Sequence, residues 1–171
     1  MKKKIAGFAF VLLSVVIMSV SAIVYESAQQ TASQTIINIA TINLKNFALG
    51  NLEEGETKLY TKAEVPNLGG AISVSTTKAN VHLHLNSDIQ TLDTLYTTYT
   101  LTVKYANVPS GSTHSIGETA ATLTIATPDS GSITLDAAGL WVFDFELETT
   151  AKLVSSDQSA MATIVVTAES A

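Results

Sequence analysis

Cysteine is absent from the 171 residues, and so is arginine. Without cysteine there is no disulfide, no thiol nucleophile and no thiolate metal ligand. A chain of this kind outside the cell must be held by its own core or by its neighbours. Arginine is the side chain best suited to bidentate phosphate contacts, and basic stripes are the footprint of nucleic-acid binding. Neither is present, so nucleic acid is not an expected partner. Fifteen Asp and Glu against nine Lys also disfavour an anionic membrane surface. No Asn-x-Ser/Thr sequon occurs, since Asn86-Ser87-Asp88 only resembles one, and N-linked glycans are not expected.

Catalytic signatures are missing too. There is no Gly-x-Ser-x-Gly elbow and no His-Glu-x-x-His pair. Gly69-Gly70 reads as a turn, not as a phosphate cradle. The expectation is a non-enzymatic protein with no cofactor.

What is present begins with a leader pattern. Lys2, Lys3 and Lys4 precede an apolar run from Ile5 to Val20, and Val20-Ser21-Ala22 supplies small residues for a signal peptidase. Cleavage after Ala22 is expected, with residues 1–22 as signal peptide and a secreted, extracellular product. The mature chain then carries six Lys against fifteen acidic residues, a net charge of −9. Two other readings keep the apolar run. One is a membrane anchor over Ile5 to Tyr25. The other is a type IV pilin-like stem cut after Gly7, although a stem ending near Tyr25 is short for that role.

The remainder is rich in Thr, Val, Ile, Ser and Ala, which is strand composition. Alternation of period two is clear in four places. Trp141, Phe143, Phe145 and Leu147 face one way, and Val142, Asp144, Glu146 and Glu148 the other. Tyr99, Leu101, Val103 and Tyr105 alternate with Thr98, Thr100, Thr102 and Lys104. Val81, Leu83 and Leu85 alternate with His82 and His84. Ala162, Ile164, Val166 and Ala168 alternate with Thr163, Val165 and Thr167, where Val165 blurs the contrast. Further strands are expected over 34–45, 57–65, 71–76, 119–127 and 132–135, and one helical turn over 88–95. Turn chemistry separates them at Leu52–Gly55, Pro66–Gly70, Pro109–Ser112 and Pro128–Gly131. About nine strands without βαβ spacing predict an all-β sandwich of jelly-roll or immunoglobulin-like kind over residues 34–171. Trp141, Phe143, Phe145, Tyr99, Leu101, Val103, Leu83 and Ile164 are its expected core.

Two clusters are candidates for chemistry. His82-x-His84 puts two imidazoles on one strand face, a spacing that suits zinc or copper if His114 or a carboxylate completes the set. The same spacing describes an ordinary solvated strand face. Asp144, Glu146 and Glu148 share another face, but a straight strand spaces them too widely for one calcium ion. They read instead as a solubilising row that discourages edge pairing, and as a candidate face for filament bundling.

One segment asks for more than a fold. Residues 23–33, Ile23 to Ser33, form a polar arm with an apolar tip and little helical signal. It is either a loose terminus or a strand for another subunit's sheet edge, with Ile23, Val24, Tyr25, Ser27, Gln29, Thr31 and Ser33 as its contact residues.

The first seventy residues resemble the TasA/camelysin group of biofilm-matrix fibre proteins, and within it the archaeal bundling-pilus subunits. Tyr25-Glu26-Ser27 is similar to the group's aromatic-polar-acidic start. Ile37 to Leu44 is similar to its Phe-x-x-Gly-Thr-Leu-x-Leu strand, with Ala40 where glycine is usual. Asn51-Leu52-Glu53-Glu54-Gly55-Glu56 is similar to its Asn-Leu-x-Pro-Gly-Asp turn, with Glu54 in place of proline. Asn67-Leu68-Gly69 fits the Asn-x-Gly turn that ends the second strand. The resemblance implies a jelly-roll domain whose arm inserts into the next subunit of a head-to-tail homopolymer. A monomeric secreted adhesin or binding module is the remaining alternative.

Overall fold

The computed structural model describes residues 39–171. The expected leader lies outside the described residues, as do the arm residues Ile23, Val24, Tyr25, Ser27, Gln29, Thr31 and Ser33 and the start of the first expected strand.

Nine strands make two antiparallel sheets: β1 (Ala40–Leu44), β2 (Thr57–Tyr60), β3 (Ile72–Thr76), β4 (Val81–Ser87), β5 (Tyr96–Asn107), β6 (Thr119–Thr124), β7 (Ile133–Leu135), β8 (Gly139–Ala151) and β9 (Ile164–Ser170). The larger sheet runs β1-β3-β8-β5-β6, with β2 also on β8, and the smaller runs β7-β4-β9. Together they form the all-β sandwich that the alternation predicts. The expected helical turn is a short 3₁₀ segment, Ile89–Thr94, whose Ile89 and Leu92 are buried.

The long alternating strands lie at the centre because both of their edges are paired. β8 pairs with β3 through Gly139–Phe143 and with β2 through Leu147–Thr150, while β5 covers its other edge. Its inward set Trp141, Phe143, Phe145 and Leu147 is almost wholly buried, with Tyr99, Leu101, Val103 and Tyr105 of β5 beside it. Val81, Leu83 and Leu85 of β4 close the core from the opposite sheet. Burial at about 25 cal/mol per Å² makes these faces the main favourable contribution to the fold. The buried indole N–H of Trp141 donates to the Ala137 carbonyl at 3.0 Å, which removes the cost of an unpaired donor.

Strand ends differ from the expectation where turn chemistry intervenes. The second expected strand stops at Tyr60, because Thr61 turns the chain and accepts from the Glu64 and Val65 N–H groups. Asn67-Leu68-Gly69 therefore belongs to a 3₁₀ turn, Pro66–Leu68, that leads into β3 and does not itself end β2. Residues 51–56 do form a turn. Gly55 adopts φ +72° and the Glu56 N–H donates to the Glu53 carbonyl. β6 stops at Thr124, where Thr124 and Thr127 exchange both backbone hydrogen bonds.

The two sides of the sandwich are finished differently. On one side the chain crosses from β6 to β7, and this crossing extends the ladder along β4. Ser130 N–H donates to the Leu85 carbonyl at 2.9 Å and Ser87 N–H to the Pro128 carbonyl at 3.0 Å. Inward residues there, Leu123, Ile133 and Leu135, are buried. On the other side stand β1 and β9. β9 pairs with β4 over its full length and, among the described residues, with no strand on its other edge. Its inward residues Ile164, Val166 and Ala168 are only half-buried, and Leu44 of β1 is 51% exposed. Ile164 is thus a correction to the expected core. It has the right facing and packs against the buried cluster, but it borders the cleft and is only partly buried.

Candidate functional site: an apolar cleft beside β9

The open side holds a cleft of about 410 Å³. Leu44 and Phe47 form one wall, Met161, Ile164 and Val166 the other, and Ile72 and Phe145 lie between them. Phe47 meets Phe145 edge-to-face, with ring centroids 6.0 Å apart, so the rigid core extends directly into the cleft. Met161 is 83% exposed at the rim.

Local hydrogen bonds explain how this wall is held although, among the described residues, no strand pairs with its outer edge. The loop 152–163 is polar and leaves the larger sheet after β8. It is caught where β9 starts. Ser87 Oγ donates to the Thr163 carbonyl at 2.8 Å, and the Thr163 N–H donates to Asp88 Oδ1 at 2.6 Å. From that anchor β9 follows β4 in strict register, Leu85 opposite Val166 and Leu83 opposite Ala168. Among the described residues no strand pairs with the far edge of β9, which carries alternate N–H and C=O groups beside apolar side chains. An extended chain is the kind of ligand that such an edge can accept. Main-chain hydrogen bonds would align it, and alternate side chains would enter the cleft.

The other candidate clusters are accounted for by local partners. His82 Nδ1 lies 2.7 Å from Ser132 Oγ and His84 Nε2 lies 3.1 Å from Glu169 Oε1. His114, the candidate third ligand, is elsewhere. It stacks on Tyr105 at 4.7 Å and sits edge-on to Trp141. Among the described residues no group of three or more His, Asp or Glu could hold a metal ion. Nor is any helix among them long and apolar enough to cross a membrane.

The acidic row is not uniformly acidic. Asp144 Oδ2 accepts from Lys62 Nζ at 2.7 Å while its Oδ1 accepts from the Gly70 N–H at 2.7 Å. The ammonium of Lys62 is held above its usual range by that carboxylate. Glu146 accepts from Lys104 Nζ at 2.6 Å. Among the described residues only Glu148 of the three lacks a cationic partner. The candidate bundling face is therefore mostly charge-compensated, and its self-repulsion is smaller than three carboxylates would give.

Away from the cleft, Asp136 fastens the β5–β6 loop. Its Oδ2 accepts from both the backbone N–H and the hydroxyl of Thr113, at 2.7 and 2.6 Å. These bonds, the hydroxyl one first, hold its carboxyl down at about 2. Tyr99 and Tyr105 are each pushed up to about 12, chiefly by burial.

The cleft itself was not legible from the residues alone. Leu44 and Phe47 lie more than a hundred residues from Met161 and Val166, and no single motif joins the two stretches. The signal that existed was the weak alternation of 162–168, where Val165 stands on the outer face at 55% exposed. No protein-family model matches the chain, and no curated protein matches it either, so the functional reading rests on this geometry.

Proposed function

We propose that this chain is the structural subunit of an extracellular filament, of the bundling-pilus or biofilm-matrix fibre kind, built by donor-strand complementation. Residues 23–33 of one subunit add to the free edge of β9 in the next and cover the cleft. The observation that carries the reading is the one-sided opening: β9 has a complete ladder to β4, an outer edge that no strand among the described residues pairs, and a half-buried apolar face over an apolar cleft.

The lengths are compatible. β9 has seven residues, about 23 Å at 3.3 Å per residue. Residues 23–33 span about 36 Å when extended. Donor and acceptor surfaces differ, so the contact is heterologous and propagates head to tail into an open filament. On this reading the sandwich becomes jelly-roll-like once a neighbour's arm has been added. It also accounts for durability without cysteine, because a subunit that leaves the filament uncovers its neighbour's apolar face.

The test is deletion of residues 23–33 from the secreted protein. Filaments should disappear from electron micrographs, leaving monomers or small aggregates. A synthetic peptide of the same stretch should bind the truncated protein and raise its melting temperature. Ordinary filaments from the truncated protein would overturn the reading. N-terminal sequencing of the secreted form should begin at Ile23, whereas a start at Phe8 would support the pilin-like stem.

A further inference from the structure

We propose that a notch beside the overhanging start of β5 binds a neutral saccharide chain. The notch lies at the β6 edge of the larger sheet, and nothing about it depends on filament assembly.

β5 and β6 differ in length, and the difference makes the notch. β6 pairs with β5 only from Thr100 to Lys104. It is turned away at Thr124, where Thr124 and Thr127 exchange both backbone hydrogen bonds and their hydroxyls lie 2.8 Å apart. Among the described residues no strand pairs with that edge of β5 over Tyr96–Tyr99. The space left has a volume of about 350 Å³. Lys152 closes one end. Its backbone N–H donates to the Leu95 carbonyl at 2.8 Å, and its ammonium donates to the Asp93 carbonyl.

Three features of the lining select the ligand. The first is aromatic. Tyr96 is half-buried and meets the buried Tyr99 edge-to-face, with ring centroids 5.4 Å apart, so it stands as a fixed wall. Such a ring has an apolar body and a polar tip, which suits the C–H face of a pyranose and its hydroxyls. The second is polar. The hydroxyls of Thr98 and Thr100 and the carboxylate of Asp93 line the notch, and none has a side-chain partner among the described residues. Hydroxyls both donate and accept, and a carboxylate accepts from two neighbouring hydroxyls, so the set matches a polyol. The third is charge. One carboxylate and one ammonium offset each other, and the chain's net charge of −6 repels polyanions such as uronates. The ligand class is therefore neutral. An extended peptide fits this edge less well than it fits β9. The ladder of β5 shifts register between Tyr96 and Thr98, and a bulge there breaks the alternation that strand addition needs.

The test is saturation-transfer difference NMR on the full secreted protein with cellohexaose, maltohexaose and mannohexaose, and with hexagalacturonate as their charged counterpart. Irradiating aromatic protons should saturate ring C–H protons of at least one neutral sugar, and hexagalacturonate should bind more weakly. Asp93→Ala, and separately Thr98→Val with Thr100→Val, should each weaken binding about tenfold, since each removes hydrogen bonds to the sugar and leaves a strand-compatible or exposed residue. Glu169→Ala, on the smaller sheet, should leave binding unchanged. Thermal melting checks that each variant folds. Lack of transfer to all three neutral sugars, binding unchanged in both notch variants, or hexagalacturonate binding as tightly as the neutral sugars would each overturn the saccharide site. Binding of a strand-forming peptide, tighter than any of the sugars and lost in the same variants, would assign the notch to peptide instead.

Discussion

Two strands flank β4 in the smaller sheet, and they reach opposite ends of the burial scale. β7 has three residues, and its inward Ile133 and Leu135 are buried. β9 has seven residues and is the more apolar of the two at its start, yet Ile164, Val166 and Ala168 remain half-exposed. Both are held to β4 by antiparallel ladders, so pairing on that edge does not explain the difference. The neighbours do. Neither strand is paired on its far edge among the described residues. Ile133 and Leu135 of β7, however, pack within the buried cluster, and the β6–β7 crossing extends their ladder along β4, whereas Ile164 and Val166 of β9 border the cleft. Burial follows from what packs over the inward face, and neither strand length nor hydropathy substitutes for it. The inward face of β9 thus stays partly open along the cleft, whereas that of the short β7 is enclosed.

The largest effect should come from the centre, which both sides share. Phe143→Ala removes a fully buried ring that touches Tyr105, with ring centroids 5.2 Å apart. It should lower subunit stability by about 3–5 kcal/mol in urea unfolding. Native stability in that variant would remove Phe143 from the core.

The comparison itself is sharpened by truncating one residue on each side. Leu135→Ala should cost about 2–5 kcal/mol in the depolymerised subunit, because the cavity is enclosed. Val166→Ala should cost about 1 kcal/mol or less there, since its methyls are already half in water. If subunits assemble as proposed, heat-induced release from the assembled protein should show the Val166 variant losing relatively more. Equal costs in both states would mean that the open side stays open in the filament.

A smaller effect concerns acid. Asp136 is held at about 2 in the fold, against an ordinary value of 3.8, so its folded pKa is depressed. Its contribution is fully present above the unfolded value and is lost as pH falls from about 4 through about 2. Asp136→Asn should therefore flatten that part of the melting temperature curve without altering its form above pH 5. An unchanged acid slope would show that other carboxylates govern it.

Much of the architecture was legible because its physics is local. Alternation placed Trp141, Phe143, Phe145 and Leu147 inward, since successive side chains in a strand must point to opposite faces. The same rule placed His82 and His84 outward. Turn residues marked the strand ends to within a few positions, and missed at Thr61, where hydroxyl and carbonyl groups of a single residue turned the chain early. The acidic row was read with its correct facing and the wrong charge. Lys62 and Lys104 reach Asp144 and Glu146 from 82 and 42 residues away.

By itself the sequence determined the class of fold and the facing of its side chains, because strand periodicity, turn chemistry and the lack of cysteine act within a few residues. It also determined the sign of the surface, through composition. Only the tertiary structure decided which strands ended at an edge and which inward faces were enclosed. That choice depends on where crossings such as 125–132 pass, and on segments distant in the chain meeting across one cleft. Leu44, Phe47, Met161 and Val166 carry no shared pattern, and their common property exists only where the two sheets leave a side unclosed.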